Sequence, residues 1–471
     1  MSTLTVDSLT TQQQQIVHAP DTGEIIVGGA AGSGKTLAAV HRAAQLCTLG
    51  RSRNNEPAVL FLCFNDALRK KIQAQIASFP QGVWSRVRVR TLHSWCASYV
   101  SRAYPDYSVV ARDPERLAIV RDAIRETRRI LGVLDVFERD PQVFLDEIRL
   151  IKGCNLHDLD EYLDRTLART GALSADDYAA LFTTAQTYNR LLRTQRRLDF
   201  DDFAPIALAA LRQTRSTARV DHVIIDEAQD LSETQITLGR SLARKSLLLI
   251  ADQAQAIYRE SQLPDTLPAL DSYDVLLPES FRTTAEIFDY ACRLLSDSPS
   301  YITPARHGPP PEYHAFRWAD EEAAAIAARI QRLIDDGMAP DEIAVLARYR
   351  ALLEPVSGKL AEAGLPFDDP NRAEPAADRM VHLLTIHAAK GREFRAVFVV
   401  GLVEGALPCM RPEMDRVATA QELALARRQL YVAMTRASEH LWLSGSEGQP
   451  SRLLYDLGFL APRLDEEGEE A

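Results

Sequence analysis

The stretch Gly29-Ala30-Ala31-Gly32-Ser33-Gly34-Lys35-Thr36 constrains this chain more than any other. It follows a short apolar run, Glu24 to Gly29, and precedes helical periodicity that continues to Leu49. Glycines let the backbone curl so that successive N–H groups face a polyphosphate, and the start of a helix adds partial positive charge. Lys35 is then placed for the β- and γ-phosphates, and the Thr36 hydroxyl for Mg²⁺. A flexible loop of Gly, Ala and Ser would share the composition, but not the order of strand, loop and helix. The pattern predicts nucleotide triphosphate binding and leaves open what the energy drives.

A second apolar run, His222 to Ile225, ends in Asp226-Glu227-Ala228-Gln229-Asp230. At the C-terminal edge of a parallel sheet, this puts Asp226 near Mg²⁺ and Glu227 where it can orient or deprotonate an attacking water. Alone, these acids read equally well as solvated groups at a strand end; the upstream phosphate loop makes hydrolysis the better account. Ala58 to Cys63 and Ser246 to Ala251 are further short apolar runs, and Val83 to Arg90 alternates apolar and basic residues. Such runs separated by helical patterns predict an α/β fold with a parallel sheet.

The expected organisation follows from where that pattern stops and restarts. Residues 1–103 and 197–274 form a first α/β domain. Residues 104–196 are charged and nearly strand-free, with helical periodicity from Pro114 to Leu131 and from Ala175 to Arg196; they read as an inserted all-helical domain. A second α/β domain takes 275–349 and 381–460, with strands at Ile343–Leu346, His382–Thr385, Ala396–Val400 and His440–Leu443. Residues 350–380 are a short connection with a helical pattern from Ala351 to Ala363, and 461–471 an acidic, disordered tail. A length of 471 residues suits this division.

Composition excludes little beyond that. The six scattered cysteines include no C-x-x-C pair, which argues against a zinc site or disulfide framework and fits a reducing, cytoplasmic setting. No apolar run approaches the ~20 residues a membrane helix needs. A net charge of −11 bounds non-specific attraction but leaves room for a local basic track. The alternation of Arg86, Arg88 and Arg90 offers one, though a solvated edge strand would read the same way.

Further motifs recur in order along nearly the whole chain, and with them the sequence resembles the UvrD/Rep/PcrA group of superfamily 1 helicases. Leu9-Thr10-Thr11-Gln12-Gln13 resembles the motif whose glutamine reads adenine, with Gln13 aligning best. Leu62 to Ala67 and Arg90 to Trp95 look like segments that contact single-stranded DNA. Leu198-Asp199-Phe200-Asp201-Asp202-Phe203 is similar to the family's L-D-F-D-D-L segment. Asp252 to Tyr258 resembles the motif whose glutamine, here Gln255, couples the γ-phosphate to DNA. Glu279-Ser280-Phe281-Arg282-Thr283 looks like the N-Y-R-S element, Thr385 to Phe394 matches T-x-H-x-A-K-G-x-E-F, and Gln429 to Ala437 matches the last motif.

The resemblance implies two RecA-like domains with ATP in the cleft between them, and an ATP-dependent motor on single-stranded DNA with 3′-to-5′ polarity. Its catalytic set is Lys35, Asp226, Glu227, Gln255, Arg282 and Arg436. ATP contacts would come from Gln13, Gly29, Ala30, Ala31, Gly32, Ser33, Gly34, Lys35, Thr36, Phe281, Arg282, Glu393 and Arg436. Thr36 and Asp226 would hold Mg²⁺. DNA contacts would come from Phe64, Asn65, His93, Trp95, Tyr258 and His387. Repair, recombination and phage defence are all settings that such a motor serves.

The chain departs from the family at Leu37, where an arginine is common, and at Glu260, where an aromatic usually stacks on a base. Residues Arg350 to Arg379 stand where the family carries a large insertion, the 2B domain, and are too few to form it. A partner protein supplying duplex grip or nuclease activity is therefore expected. The alternative reading is an ATP-gated clamp or signalling subunit that binds DNA without unwinding it.

Overall fold

The computed structural model describes residues 9–29, 31–49, 58–63, 65–167, 173–213, 219–252, 275–295, 303–368, 379–410 and 416–461. They fall into two compact units. The first takes residues up to 28, from 35 to 251, and 275–276; the second takes the loop segment 29–34 and residues from 277 onward.

The first unit is organised by strands β1 (Gly23–Gly29), β2 (Val59–Cys63), β3 (Val87–Thr91), β4 (Ser108–Val110), β5 (Arg197–Asp199), β6 (Val220–Ile225), β7 (Ala243–Ile250) and β8 (Val275–Leu277). The main sheet runs β3-β2-β6-β7-β1-β8, and the pairs β3–β2, β2–β6, β6–β7 and β7–β1 are all parallel. Every residue of β2 is buried, as expected for an interior strand covered by helices on both faces. Leu60, Leu62, Val223, Ile225, Leu247 and Leu249 share one core with the helices that follow.

Between β3 and β6 the chain leaves this core and builds a second one. Helices Asp113–Leu131, Pro141–Gly153, Leu159–Leu167 and Ala175–Thr194 enclose Val120, Phe144, Ile148, Tyr162, Leu181 and Tyr188. Among the described residues, the one strand within 104–196, β4, pairs in parallel with β5 where the chain leads into and out of the helices, Ser108 opposite Arg197. Helix Pro141–Gly153 ends against helix Glu233–Leu242, where the Thr234 hydroxyl donates to the Lys152 carbonyl at 3.4 Å.

The basic alternation also differs from its expected form. Gln81–Trp84 closes a helical turn after Pro80, so β3 begins only at Val87. Arg86 lies outside the strand and its guanidinium donates to the Cys47 carbonyl, while Arg88 and Arg90 are exposed on either side of buried Val89. The three-arginine face is thus reduced to Arg88 and Arg90.

In the second unit, β9 (Glu279–Ser280) pairs in parallel with β10 (Thr303–Pro304). The main sheet comprises β11 (Glu312–Phe316), β12 (Ile343–Ala347), β13 (His382–Thr385), β14 (Phe394–Val399) and β15 (Ala437–Ser446), in the order β11-β15-β14-β12-β13 and parallel throughout. Helices Ala319–Asp335 and Glu354–Glu362 cover it through Ile326, Ile330, Val356 and Leu360. Among the described residues, no helix is long and apolar enough to cross a membrane.

One close approach in this sheet is set by a missing side chain. A Cβ built on Gly445 would stand 2.3 Å from the Leu402 carbonyl oxygen, a backbone atom whose own amide is tied to Ser444 at 3.0 Å. Gly445→Ala should therefore destabilise the protein by about 1–3 kcal/mol, the ordinary cost of overpacking. Chemical denaturation measures it, and an unchanged midpoint would show that the Leu402 turn yields freely.

Candidate functional site

In the first unit, the residues singled out by sequence gather at the C-terminal ends of parallel strands, where the rule for open α/β sheets places ligands. Asp226 directly follows β6 and is 3% exposed; its amide donates to the Leu62 carbonyl at 3.0 Å. The Thr36 hydroxyl, at the start of helix Lys35–Leu49, donates to Asp226 Oδ2 at 2.6 Å. Burial and the neighbouring Glu227 push the Asp226 carboxyl up to about 6, against the pull of Thr36 and Lys35.

Glu227 adopts the left-handed conformation, with φ at 59°. For a side chain of this size, that backbone costs energy and needs support. The support is local: the Glu227 amide donates to Asp226 Oδ1 at 2.9 Å, and Gln229 Nε2 donates to Glu227 Oε2 at 2.5 Å. Gln229 is 1% exposed, so this donor is fixed in place. Sequence reading gave Gln229 no role of its own.

A hydroxyl and a strongly buried carboxylate, side by side, suit a hard cation that takes few protein ligands and completes its shell with water and phosphate. Asp226 also lacks a full positive partner at hydrogen-bond distance in the contacts described, and a cation would relieve its raised carboxyl. The residues present therefore fit Mg²⁺.

The strand-contact candidates are held less simply. Asn65 caps helix Asp66–Ala77, its side chain accepting from the Leu68 amide at 2.8 Å. Thr91 caps helix Leu92–Ala103, which carries His93 and Trp95 on its first turn. Trp95 is half-buried against Tyr99, ring centroids 4.6 Å apart. His93 packs edge-on to Phe200 at 5.5 Å, and burial lowers its pKa. Gln13 is 5% exposed and its amide oxygen accepts from the Thr10 amide at 3.0 Å, closing a capping box at the start of helix Thr11–Val17. Phe64, Gln255, Tyr258 and Ala30 lie outside the described residues.

In the second unit, the loop segment meets the Glu279–Thr283 element. Ser280 Oγ donates to the Ala31 carbonyl at 2.7 Å, and the Phe281 amide to the Gly32 carbonyl at 3.2 Å. Gly32 has φ at +76°, and a Cβ there would fall 2.2 Å from Arg282 Cβ. Gly29 and Gly34 also have positive φ, while Ser33 is buried. Arg282 Nε pairs with Glu393 at 2.8 Å, so two residues assigned to ATP from separate motifs touch each other. The Phe281 ring is exposed.

Arg436 is 1% exposed, with Nε on the Val432 carbonyl at 3.1 Å and Nη1 on the Arg392 carbonyl at 3.3 Å. His387, two residues beyond β13, accepts from Arg348 Nη1 at 3.4 Å. Burial, with Arg348 and Lys390 nearby, lowers its pKa to about 4, so it is neutral at physiological pH.

Sequence reading missed a buried charge network in the first unit. Arg116 and Lys152 sit on the apolar stripes of their helices and converge on Asp199. The signal was there: Arg116 is spaced with Ile119, Val120 and Ala123, and Lys152 with Leu145 and Ile148, on faces that bury mostly apolar groups.

The model for the UvrD/REP helicase N-terminal domain matches residues 9–261, and that for the UvrD-like helicase C-terminal domain matches residues 368–448. The chain belongs to the UvrD/REP helicases of superfamily 1, enzymes built on two RecA-like domains with parallel sheets. It is 25% identical to the ATP-dependent DNA helicase UvrD2 of Mycobacterium tuberculosis, covering 93% of this chain and 79% of that one. It is 22% identical to the ATP-dependent DNA helicase PcrA of Staphylococcus epidermidis, over 77% of this chain and 51% of the relative. The UvrD2 alignment runs over 562 positions against 471 residues here, so that relative carries stretches which this chain lacks.

The neutral His387 has a consequence for stability. Its folded pKa, about 4, lies below the ordinary ~6.5, so the unfolded chain binds the extra proton in that window and stability falls as pH drops through it. His387→Gln should therefore lose less stability than the wild type between about pH 7 and about pH 5. Denaturation midpoints at the two pH values measure this, and parallel losses would contradict a buried, neutral imidazole.

Proposed function

We propose that this chain hydrolyses ATP with Mg²⁺ and couples each turnover to a step along single-stranded DNA, with 3′-to-5′ polarity. The observation that carries the reading is the Thr36–Asp226–Glu227 constellation, with Glu227 held in a costly backbone conformation by Gln229. Strain kept at one carboxylate points to a chemical task for it.

In this account Lys35 meets the β- and γ-phosphates, and the amides of the Gly29–Gly34 segment face the polyphosphate. Thr36 and Asp226 hold Mg²⁺, which when bound neutralises phosphate charge. Glu227 accepts the proton of the attacking water, and Gln229 keeps its carboxylate turned toward that proton. Arg282 and Arg436 stabilise charge on the transferring phosphoryl group, and Gln255 senses its loss. Phe281 stacks on adenine and Gln13 reads its edge. The strand runs past Phe64, Asn65, His93, Trp95, Tyr258 and His387. Residues 104–196 act as a helical insert in the first RecA-like domain, and 350–380 as a remnant in place of the 2B insertion; an alignment longer than the chain supports the latter.

Two variants separate binding from chemistry. Lys35→Ala should lose ATP turnover by on the order of a hundredfold or more, because no other loop side chain supplies a full positive charge. Glu227→Gln should keep nucleotide affinity while turnover collapses, since shape and hydrogen bonding remain but the base is gone. Nucleotide affinity and rate on one preparation decide it; equal loss of both in Glu227→Gln would assign Glu227 to metal binding or folding.

The short connection at 350–380 leaves no lever that switches between orientations ahead of a fork. The isolated chain should translocate on a single strand yet displace little of a long duplex. Strand displacement on a tailed duplex is measured beside translocation on the same tail. Efficient, processive displacement would show that the helical insert suffices to split the fork.

A further inference from the structure

The buried network centred on Asp199 brings together groups that are far apart in sequence. Asp199 is fully buried and Lys152 is 6% exposed. Asp199 Oδ1 accepts from Lys152 Nζ at 2.9 Å and from the amides of Asp201 and Asp202 at 3.1 and 3.2 Å. Its Oδ2 accepts from the Tyr188 hydroxyl at 2.9 Å and from Arg116 Nη2 at 3.3 Å. Arg116 also pairs with Asp201, and Lys152 with Asp202 at 2.8 Å. Arg116, Lys152 and Tyr188 come from three different helices of the insert.

Ion pairs taken out of water return little net stability, and an apolar cluster of the same volume often does as well. What such a network does supply is geometry, because each oxygen of Asp199 is met by several donors whose directions are set by separate helices. Asp199 is also the N-cap of the turn Phe200–Asp202. The carboxylate that the insert grips is thus the one that shapes this turn. Phe200, inside it, packs edge-on against His93 at 5.5 Å and against Phe203 at 5.5 Å. His93 and Phe203 are ring neighbours as well, at 6.3 Å.

We infer that Asp199, Lys152, Arg116 and Tyr188 are positioning residues for single-strand binding: through the Phe200 turn, the helical insert fixes the placement of His93 on its helix. This rests on the reading of His93 and Trp95 as strand contacts. Loosening the network then lets the turn and the His93 ring shift, and strand affinity falls while the nucleotide site keeps its affinity for ATP.

The test compares dissociation constants for a fluorescent oligothymidylate with KM for ATP measured without DNA. Lys152→Met combined with Asp199→Asn removes the charges as a pair, so that neither is left buried alone. This variant should bind the oligonucleotide about tenfold or more weakly, with KM for ATP near the wild-type value. Where that double variant does not fold, Tyr188→Phe, which deletes one hydroxyl donor, should weaken strand binding several-fold with the same split. Folded variants that bind the oligonucleotide as the wild type does overturn the inference, as does an equal change in both constants. His93→Ala distinguishes the two layers. If it binds like the wild type, the strand-site reading itself fails; if it weakens while the network variants do not, only the positioning role fails.

Discussion

Parallel pairing of β1, β2, β6 and β7 is the constraint on which the first unit's chemistry depends. Strands that run in one direction end at one edge, so the residues following β2, β3 and β6 emerge there together. Thr36 and Asp226 are 190 positions apart in the chain, yet the register leaves their oxygens 2.6 Å apart. Helices on both faces are what make such a sheet stable, and β2, buried along its whole length, shows that cover.

The second unit's sheet is parallel as well, with charged groups at both ends of its strands: Arg436 precedes β15, and Arg282 pairs with Glu393, which precedes β14. Beyond β12 stands Arg348, beyond β13 stand His387 and Lys390, and beyond β15 stands Glu447. Burial of Arg436 and pairing of Arg282 with Glu393 hold guanidinium groups in defined directions rather than leaving them to sample solvent.

Much of this was legible from the sequence because it is written locally. The phosphate loop is a contiguous pattern with its own strand and helix, and the acids at Asp226 and Glu227 directly end an apolar run. The two α/β patterns and the helical insert show as changes in periodicity, and the family's two RecA-like domains bear out the fold class. The convergence on Asp199 was not legible: the apolar faces mark Arg116 and Lys152 as buried, but they lie 83 and 47 positions from Asp199 and only packing brings them in. Nor did the motif reading reveal that Asn65 spends its side-chain oxygen on capping its own helix, or that Gln81–Trp84 turns before β3 begins. The left-handed backbone of Glu227 was hidden too, because nothing in a carboxylate's identity announces φ.

The proposed function is that of a motor whose hydrolysis waits for a strand. The most direct measurement is the rate of ATP turnover by the intact chain with and without unstructured single-stranded DNA. The account predicts a low rate alone and a large increase when the strand is added at saturation. A rate that does not change on adding the strand would contradict the coupling and leave a nucleotide-gated clamp as the better description.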